Sequence, residues 1–388
     1  MTAIAPAEVE LVDSILDVPP DAWNGLAGAD DLYQSHEWLA MVERDSTARS
    51  YYLLAWREGR LAGAMPVYAV HHEASPAYQP DRIRQLLALD GDFLVAGARR
   101  CYRSDIMVAA DLRPAARLEV TAALVRRALR LAEQLGRSGV AFCYLADEGL
   151  GRLAAVAPVR AAFDGGENLL EGVGDGMAGY LDRCTSKLRA KIRRERRGFA
   201  ETGWSTGVES LADCLADVAR LLSQVEQRHG NELPEALLRR LLRRQVAAIS
   251  DREVLLTCRD QRGDLLACGV NYRWHQSLYS RAVGLDYDRL AGSFGYFNVL
   301  IYQAIDYAAE HGLDRLHLGL ASCAKTERGA VVRRLWTAFV QVEPQPDGCG
   351  PGVRLVDPAA AQRWSEPYRR YSDALCPPGW RRPPAPSR

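Results

Sequence analysis

Two stretches of this chain repeat one plan, and the repeat limits what the whole can fold into. YYLLAWREGRLAGAMPVYAV (51–70) and EVLLTCRDQRGDLLACGVNYRW (253–274) each read as an apolar strand, an arginine beside an acid, a glycine-bearing turn and a second apolar strand. Further on, ALRLAEQLG (128–136) and AIDYAAEHG (304–312) align without a gap. Each reads as the end of a helix closed by a glycine suited to the left-handed cap, with a short strand after it, GVAFCYLA or DRLHLGL. Two matches in the same order imply two domains of one design. An extra loop over about 71–104 in the first half accounts for the difference in spacing.

The predicted elements follow that division. The first half gives a helix over 35–44 behind Ser35 as its cap, the hairpin 51–70, a strand or loop segment at 105–109, a helix over 113–135 and a strand over 139–145. The second gives a basic helix over 186–200, a strand near 204–209, helices over 211–228 and 234–249, the hairpin 253–274, a strand over 277–283, a helix over 295–311 and a strand over 314–320. This mixed order predicts an α/β (α+β) protein of two tandem domains, each a mixed central sheet flanked by helices. The expected bounds are 1–172 and 173–376, with a disordered proline-rich tail over 377–388.

Composition narrows the partners. The 388 residues carry no formal net charge, so affinity for phosphates has to come from local clustering. No apolar run approaches membrane length and the start lacks a basic-then-apolar leader, so a cytoplasmic protein is expected. The nine cysteines include no CxxC pair and the seven histidines no ligand spacing, which predicts no metal. Of 49 basic side chains only Lys187, Lys191 and Lys325 are lysines. A chain this rich in arginine keeps lysine where a compact ammonium does what a planar guanidinium cannot. Residues 183–197 hold eight basic side chains against one acid, Glu195, and helical spacing sets Lys187, Lys191 and Arg194 on one face, with Arg189 and Arg193 beside it.

Three stretches, LYQSHEWLAMVE (32–43), SKLRAKIRRERRGF (186–199) and 292–336, together with the repeated hairpin, helix and strand, resemble a tandem of Gcn5-related N-acetyltransferase (GNAT) domains. More narrowly the chain resembles the Fem group of aminoacyltransferases and their peptidoglycan-biosynthesis relatives. The resemblance implies transfer of an aminoacyl group from aminoacyl-tRNA to an amine, in a peptidoglycan precursor or a small molecule, with no bound cofactor. It also implies that Lys187, Arg189, Lys191, Arg193 and Arg194 lie by donor or acceptor phosphates. The alternative donor is acyl-CoA, whose enzymes in this superfamily carry an Arg/Gln-x-x-Gly-x-Gly/Ala turn that aims backbone N–H groups at pyrophosphate. Here RLAGSFG supplies Arg289 and Gly292, but Phe294 stands where a small residue is needed and Gly295 comes one residue late.

Amide formation needs a neutral attacking amine, a stabilised oxyanion and a protonated leaving group. The resemblance matches Lys325, in LGLASCAKTERGA, to a lysine near the reacting acyl group or the RNA terminus, and Arg328 is its helper for the same anionic groups. His317 and Glu327 are the candidate bases. Cys323 reads as packing or lining. Tyr279, Tyr287, Tyr296 and Asn298 are expected to line the acceptor pocket, a place where a ring with a polar tip serves well.

Overall fold

A computed structural model of the chain describes residues 8–28, 31–44, 47–73, 76–342 and 350–365. The chain divides into two compact units, residues 1–166 with 334–364, and 167–333 with 365–388. Sequence placed the join at 172/173. The observed join falls within one strand at 166/167, and a second strand returns 334–364 to the first unit. The expected tail, 377–388, lies outside the described residues.

In the first unit the strands are β1 (Glu8–Val12), β2 (Ala48–Arg57), β3 (Arg60–Val70), β4 (Leu94–Ala96), β5 (Met107–Val108), β6 (Gly139–Leu145), the start of β7 (Pro158–Glu171), and, later in the chain, most of β13 (Val331–Gln341) and β14 (Gly352–Leu355). Their order is β1-β2-β3-β4-β6-β13-β7, with β14 on β7 and β5 on β3. The two-residue turn between β2 and β3 puts Glu58 and Gly59 at positive φ, the geometry that follows the twist of a hairpin. β4 and β6 pair in parallel, joined through the helix Pro114–Gln134, whose Val120, Leu124 and Ala128 pack on Leu53, Met65 and Phe142 of the sheet. The stretch 71–104, expected as a loop, contains a helix, Pro80–Leu87, as well as β4. Three residues of β4 are too few to show an alternating pattern in sequence.

The second unit repeats the plan with β8 (Ser205–Glu209), β9 (Glu253–Arg259), β10 (Leu265–Trp274), β11 (Ser277–Leu285) and β12 (Arg315–Leu320), followed by the end of β7. β11 and β12 pair in parallel, and β12 pairs antiparallel with β7. The connection between β11 and β12 is helical, α over Gly295–Phe297, π over Asn298–Tyr302 and α over Gln303–Glu310. Glycines cap the matching helices of both units in the left-handed region, Gly136 at φ 64 and Gly312 at φ 67. The basic helix spans Ser186–Ala200, with the Thr185 hydroxyl accepting from Leu188 N at 3.4 Å. Leu188, Ile192, Glu195 and Phe199 form its buried stripe, at the 3–4 residue spacing of one helix face. Leu188, Ile192 and Phe199 join the core that holds Tyr302, Ile305 and Leu316. Each such burial contributes about 1.5–3 kcal/mol.

Candidate functional site

The site is built where β11 and β12 part. Their parallel pairing covers three positions, Ser277 with Arg315, Leu278 with Leu316 and Tyr279 with His317. Two irregularities fall at that point. Against β10, Val270 meets Ala282 while Asn271 meets Ser280, so Arg281 is a bulged extra residue on β11. Against β7, His317 meets Leu169 while Leu320 meets Glu167, and Gly319 takes a φ of 71. Beyond the last pair, Arg281, Ala282 and Val283 are partly exposed, as are Ala321, Ser322 and Cys323, and Leu320 is 57% exposed. The strands therefore leave a gap floored by Tyr279 and His317, whose rings stack at 4.0 Å. His317 Nδ1 lies 3.9 Å from the Glu167 carboxylate, which also takes Arg333 at 3.2 Å.

Lys325 does not project from a loop. It sits in a short helix, Cys323–Thr326, is 9% exposed, and donates to the carbonyls of Leu318 at 2.6 Å and Leu320 at 2.7 Å, on either side of the Gly319 bulge. Burial pushes its ammonium down to about 8. Asn168 holds the same loop from the other side, accepting from Ser322 N at 2.8 Å. Lys325 thus shapes the parted strand end.

Arg328, expected to meet substrate anions, is 2% exposed and committed to the core. It donates to Glu195 at 2.6 Å, to Tyr302 Oη at 3.2 Å and to Ala324 O at 3.0 Å, and lies 3.2 Å above the Phe297 ring. Tyr302 Oη donates to the other Glu195 oxygen. Glu195 is the feature that sequence reasoning passed over. Its position on the apolar stripe, as the one acid in a basic run, was the available signal.

The outward side of the same helix differs. Lys187, Arg193, Arg194 and Arg197 are exposed, and they meet no carboxylate among the described residues. Lys191 pairs with Glu327 at 3.1 Å, Arg196 with Asp306 at 3.2 Å and Arg189 with Asp182 at 3.7 Å. Tyr287 and Tyr296 are partly exposed, with Arg228 4.2 Å over the Tyr287 ring and Tyr296 edge-on to Phe297 at 5.2 Å. Burial pushes the Tyr296 phenol up to about 12, so it stays protonated at neutral pH. Arg228, Glu167 and Asn168 have no local sequence signal, because strand and helix contacts bring them to this place.

Two expected site residues, Arg289 and Asn298, have other partners. Arg289 is tied to Asp260 and, at 3.2 Å, to Asp264. In the same turn Gly292 and Phe294 both adopt positive φ, and Gly295 N donates to the Ser293 hydroxyl at 3.2 Å, so this N–H is already engaged. Asn298 donates to Phe294 O at 3.0 Å within its own helical turn and is buried, as Tyr279 is. Among the described residues no group of three His, Cys, Asp or Glu side chains is placed to hold a metal, and no helix is long and apolar enough to cross a membrane.

An antiparallel run leading into a parallel pair that parts after a few residues, given twice, defines a protein of the tandem GNAT class. A family model described as FemAB-like, peptidoglycan biosynthesis/recognition, matches residues 108–347, and the chain belongs to that family. The crystal structure of FemX is similar over 86% of this chain and 98% of its own, at 12% identity and a TM-score of 0.58. A conserved protein of unknown function from Bacteroides thetaiotaomicron is similar over 86% of this chain and 100% of its own, at 12% identity and a TM-score of 0.56. L-PGS from Bacillus licheniformis is similar over 82% and 91%, at 12% identity and a TM-score of 0.50. These are likenesses of fold. No curated protein sequence matches the chain.

Proposed function

We propose that the protein is an N-acyltransferase that moves an aminoacyl group from aminoacyl-tRNA to an amine, in a peptidoglycan precursor or a small molecule, at the gap between β11 and β12. The observation that carries this reading is the mounting of the basic helix. Its inner face is locked by the buried Glu195, Arg328 and Tyr302 contacts, while its outer face presents Lys187, Arg193, Arg194 and Arg197 without acidic partners among the described residues. A rigid row of unpaired cations suits a polyphosphate backbone and costs little to order on binding. The turn that would receive the pyrophosphate of acyl-CoA has its arginine held by Asp260 and Asp264, which favours the RNA-borne donor.

At the gap the amine attacks the acyl carbonyl, the new C–N bond forms, and the ester C–O bond to the RNA terminus breaks with a proton passing to the leaving hydroxyl. Glu327, paired with Lys191 at 3.1 Å, is the base that takes the proton from the attacking nitrogen. Tyr287 and Tyr296 line the acceptor, and the protonated Tyr296 phenol donates to the developing oxyanion. Lys325 and His317 act through position, fixing the strand end and the floor.

Donor discrimination tests the reading. The protein is incubated with candidate amines and either a charged tRNA pool or an acyl-CoA panel, with and without ribonuclease, and new amides are read by mass. Ribonuclease-sensitive product is expected. Ribonuclease-resistant product that requires a coenzyme A thioester overturns the proposal.

A further inference from the structure

The first unit holds a cavity of about 490 Å³ between the helix Pro114–Gln134, the start of β7, the end of β13 and β14. That volume is of the size that takes small organic ligands. Its deep wall is hydrocarbon, with Val125, Val159, Phe339 and Val340 all buried, and Val353 at its mouth is 43% exposed. Among the described residues none of the wall is acidic. Three are arginines, Arg126, Arg160 and Arg354. Arg160 donates to Ala88 O at 2.8 Å. Arg126 and Arg354 are exposed and meet no carboxylate among the described residues.

A dry apolar wall gains by covering with hydrocarbon, and unpaired guanidinium groups gain by meeting an anion. One molecule satisfies both when it is an amphiphile with a negative head. We propose that this cavity binds a single-chain lipid with an anionic headgroup, taken up as a single molecule, its tail along Val125, Val159 and Phe339 and its head between Arg126 and Arg354. None of the residues assigned to acyl transfer takes part.

The full chain is titrated with a fluorescent fatty carboxylate, dansylundecanoate, which is then displaced by laurate, dodecyl phosphate or dodecanol below their aggregation limits. Laurate and dodecyl phosphate are expected to compete, with dodecanol weaker by about tenfold or more because it cannot pair with the arginines. Combined Arg126→Glu and Arg354→Glu substitution weakens laurate by about tenfold or more on the same ground. Ala122→Trp, on the cavity wall, removes probe binding, and its circular dichroism shows whether the fold is intact. If that variant fails to fold, the charge reversals decide alone. Absence of saturable displacement overturns the proposal. So does equal competition by dodecanol, binding insensitive to the charge reversals, binding seen only on anionic vesicles, or a dimer by light scattering that Ala122→Trp dissociates.

Discussion

Tyr144 in the first unit and Gly319 in the second occupy the same place in the repeated plan, and they differ in whether a side chain packs there. Each sits in the bulge that ends the second strand of the parallel pair, at φ 58 and φ 71. In the first unit the tyrosine ring packs 5.2 Å from Tyr78, and its hydroxyl donates to Ala77 O at 2.9 Å, which ties the 71–104 segment into the parted strands. Ser104 then bridges to Leu145, and Tyr78 Oη donates to Cys101 O at 2.6 Å, so the gap is filled. Glu73 completes the plug from inside, pairing with Arg99 and Arg100. In the second unit the residue at that place is glycine, with no side chain to pack there, and a two-residue turn replaces the insertion. The same backbone irregularity therefore serves as a packing point in one unit and as an opening in the other.

The largest expected effects come from the two buried ion-pair clusters, and they separate the roles of the units. Glu195→Ala strands Arg328 and Glu73→Ala strands Arg99, each at a cost of about 3–5 kcal/mol in denaturant unfolding. Glu195→Ala also loosens the basic helix and weakens donor RNA binding. Molecules of Glu73→Ala that remain folded in the cold keep the parental turnover number. Turnover falling equally per folded molecule in both variants breaks the contrast.

Exchanging the two bulge residues comes next. Gly319→Tyr should cut turnover by about a hundredfold or more by filling the gap, while positive φ for tyrosine costs about 1–2 kcal/mol of stability. An active Gly319→Tyr enzyme places the chemistry elsewhere. Tyr144→Gly opens the plug at about 3–5 kcal/mol and creates no activity.

Lys325 offers a smaller effect with a definite sign. Its folded pKa, about 8, lies below the ordinary 10.5, so between those values the unfolded chain binds more protons than the folded one. Stability from this group therefore rises as pH climbs from about 8 towards 10.5, by up to about 1–3 kcal/mol. Below pH 8 both states are charged and the slope vanishes. Lys325→Met should flatten the profile measured by urea unfolding. Lys325→Ala also leaves the carbonyls of Leu318 and Leu320 without their donor, costing about 1–3 kcal/mol. A flat profile in the parent sinks this account of a buried ammonium.

The smallest expected change is in the exposed row. Lys187→Glu with Arg194→Glu should leave stability within about 0.5 kcal/mol yet reduce the salt slope of tRNA binding. An unaltered salt slope makes that face a solvated surface and removes the contrast between the helix's two sides.

Local pattern determined a great deal of this protein. The two hairpins, the two capped helices and the basic helix over 186–200 are set by alternation, 3.6-residue periodicity and cap chemistry, all of which act within a few residues. The repeat, and hence the tandem design, was legible for the same reason. Of the expected site residues, the sequence made legible the exposure of the cations at 187, 193 and 194 and the partial exposure of the rings at 287 and 296. Lys325 and Arg328 looked like free cations, since a sequence shows a charge but not the carbonyls or carboxylate that claim it. Only tertiary structure decided that Glu195 faces inward to meet Arg328, 133 residues away. It also decided that β7 and β13 each serve both units, and that one gap is filled while the other stays open. Those outcomes depend on which distant groups a buried polar atom can reach, and burial enforces such pairings because an unmatched charge in the core costs several kcal/mol.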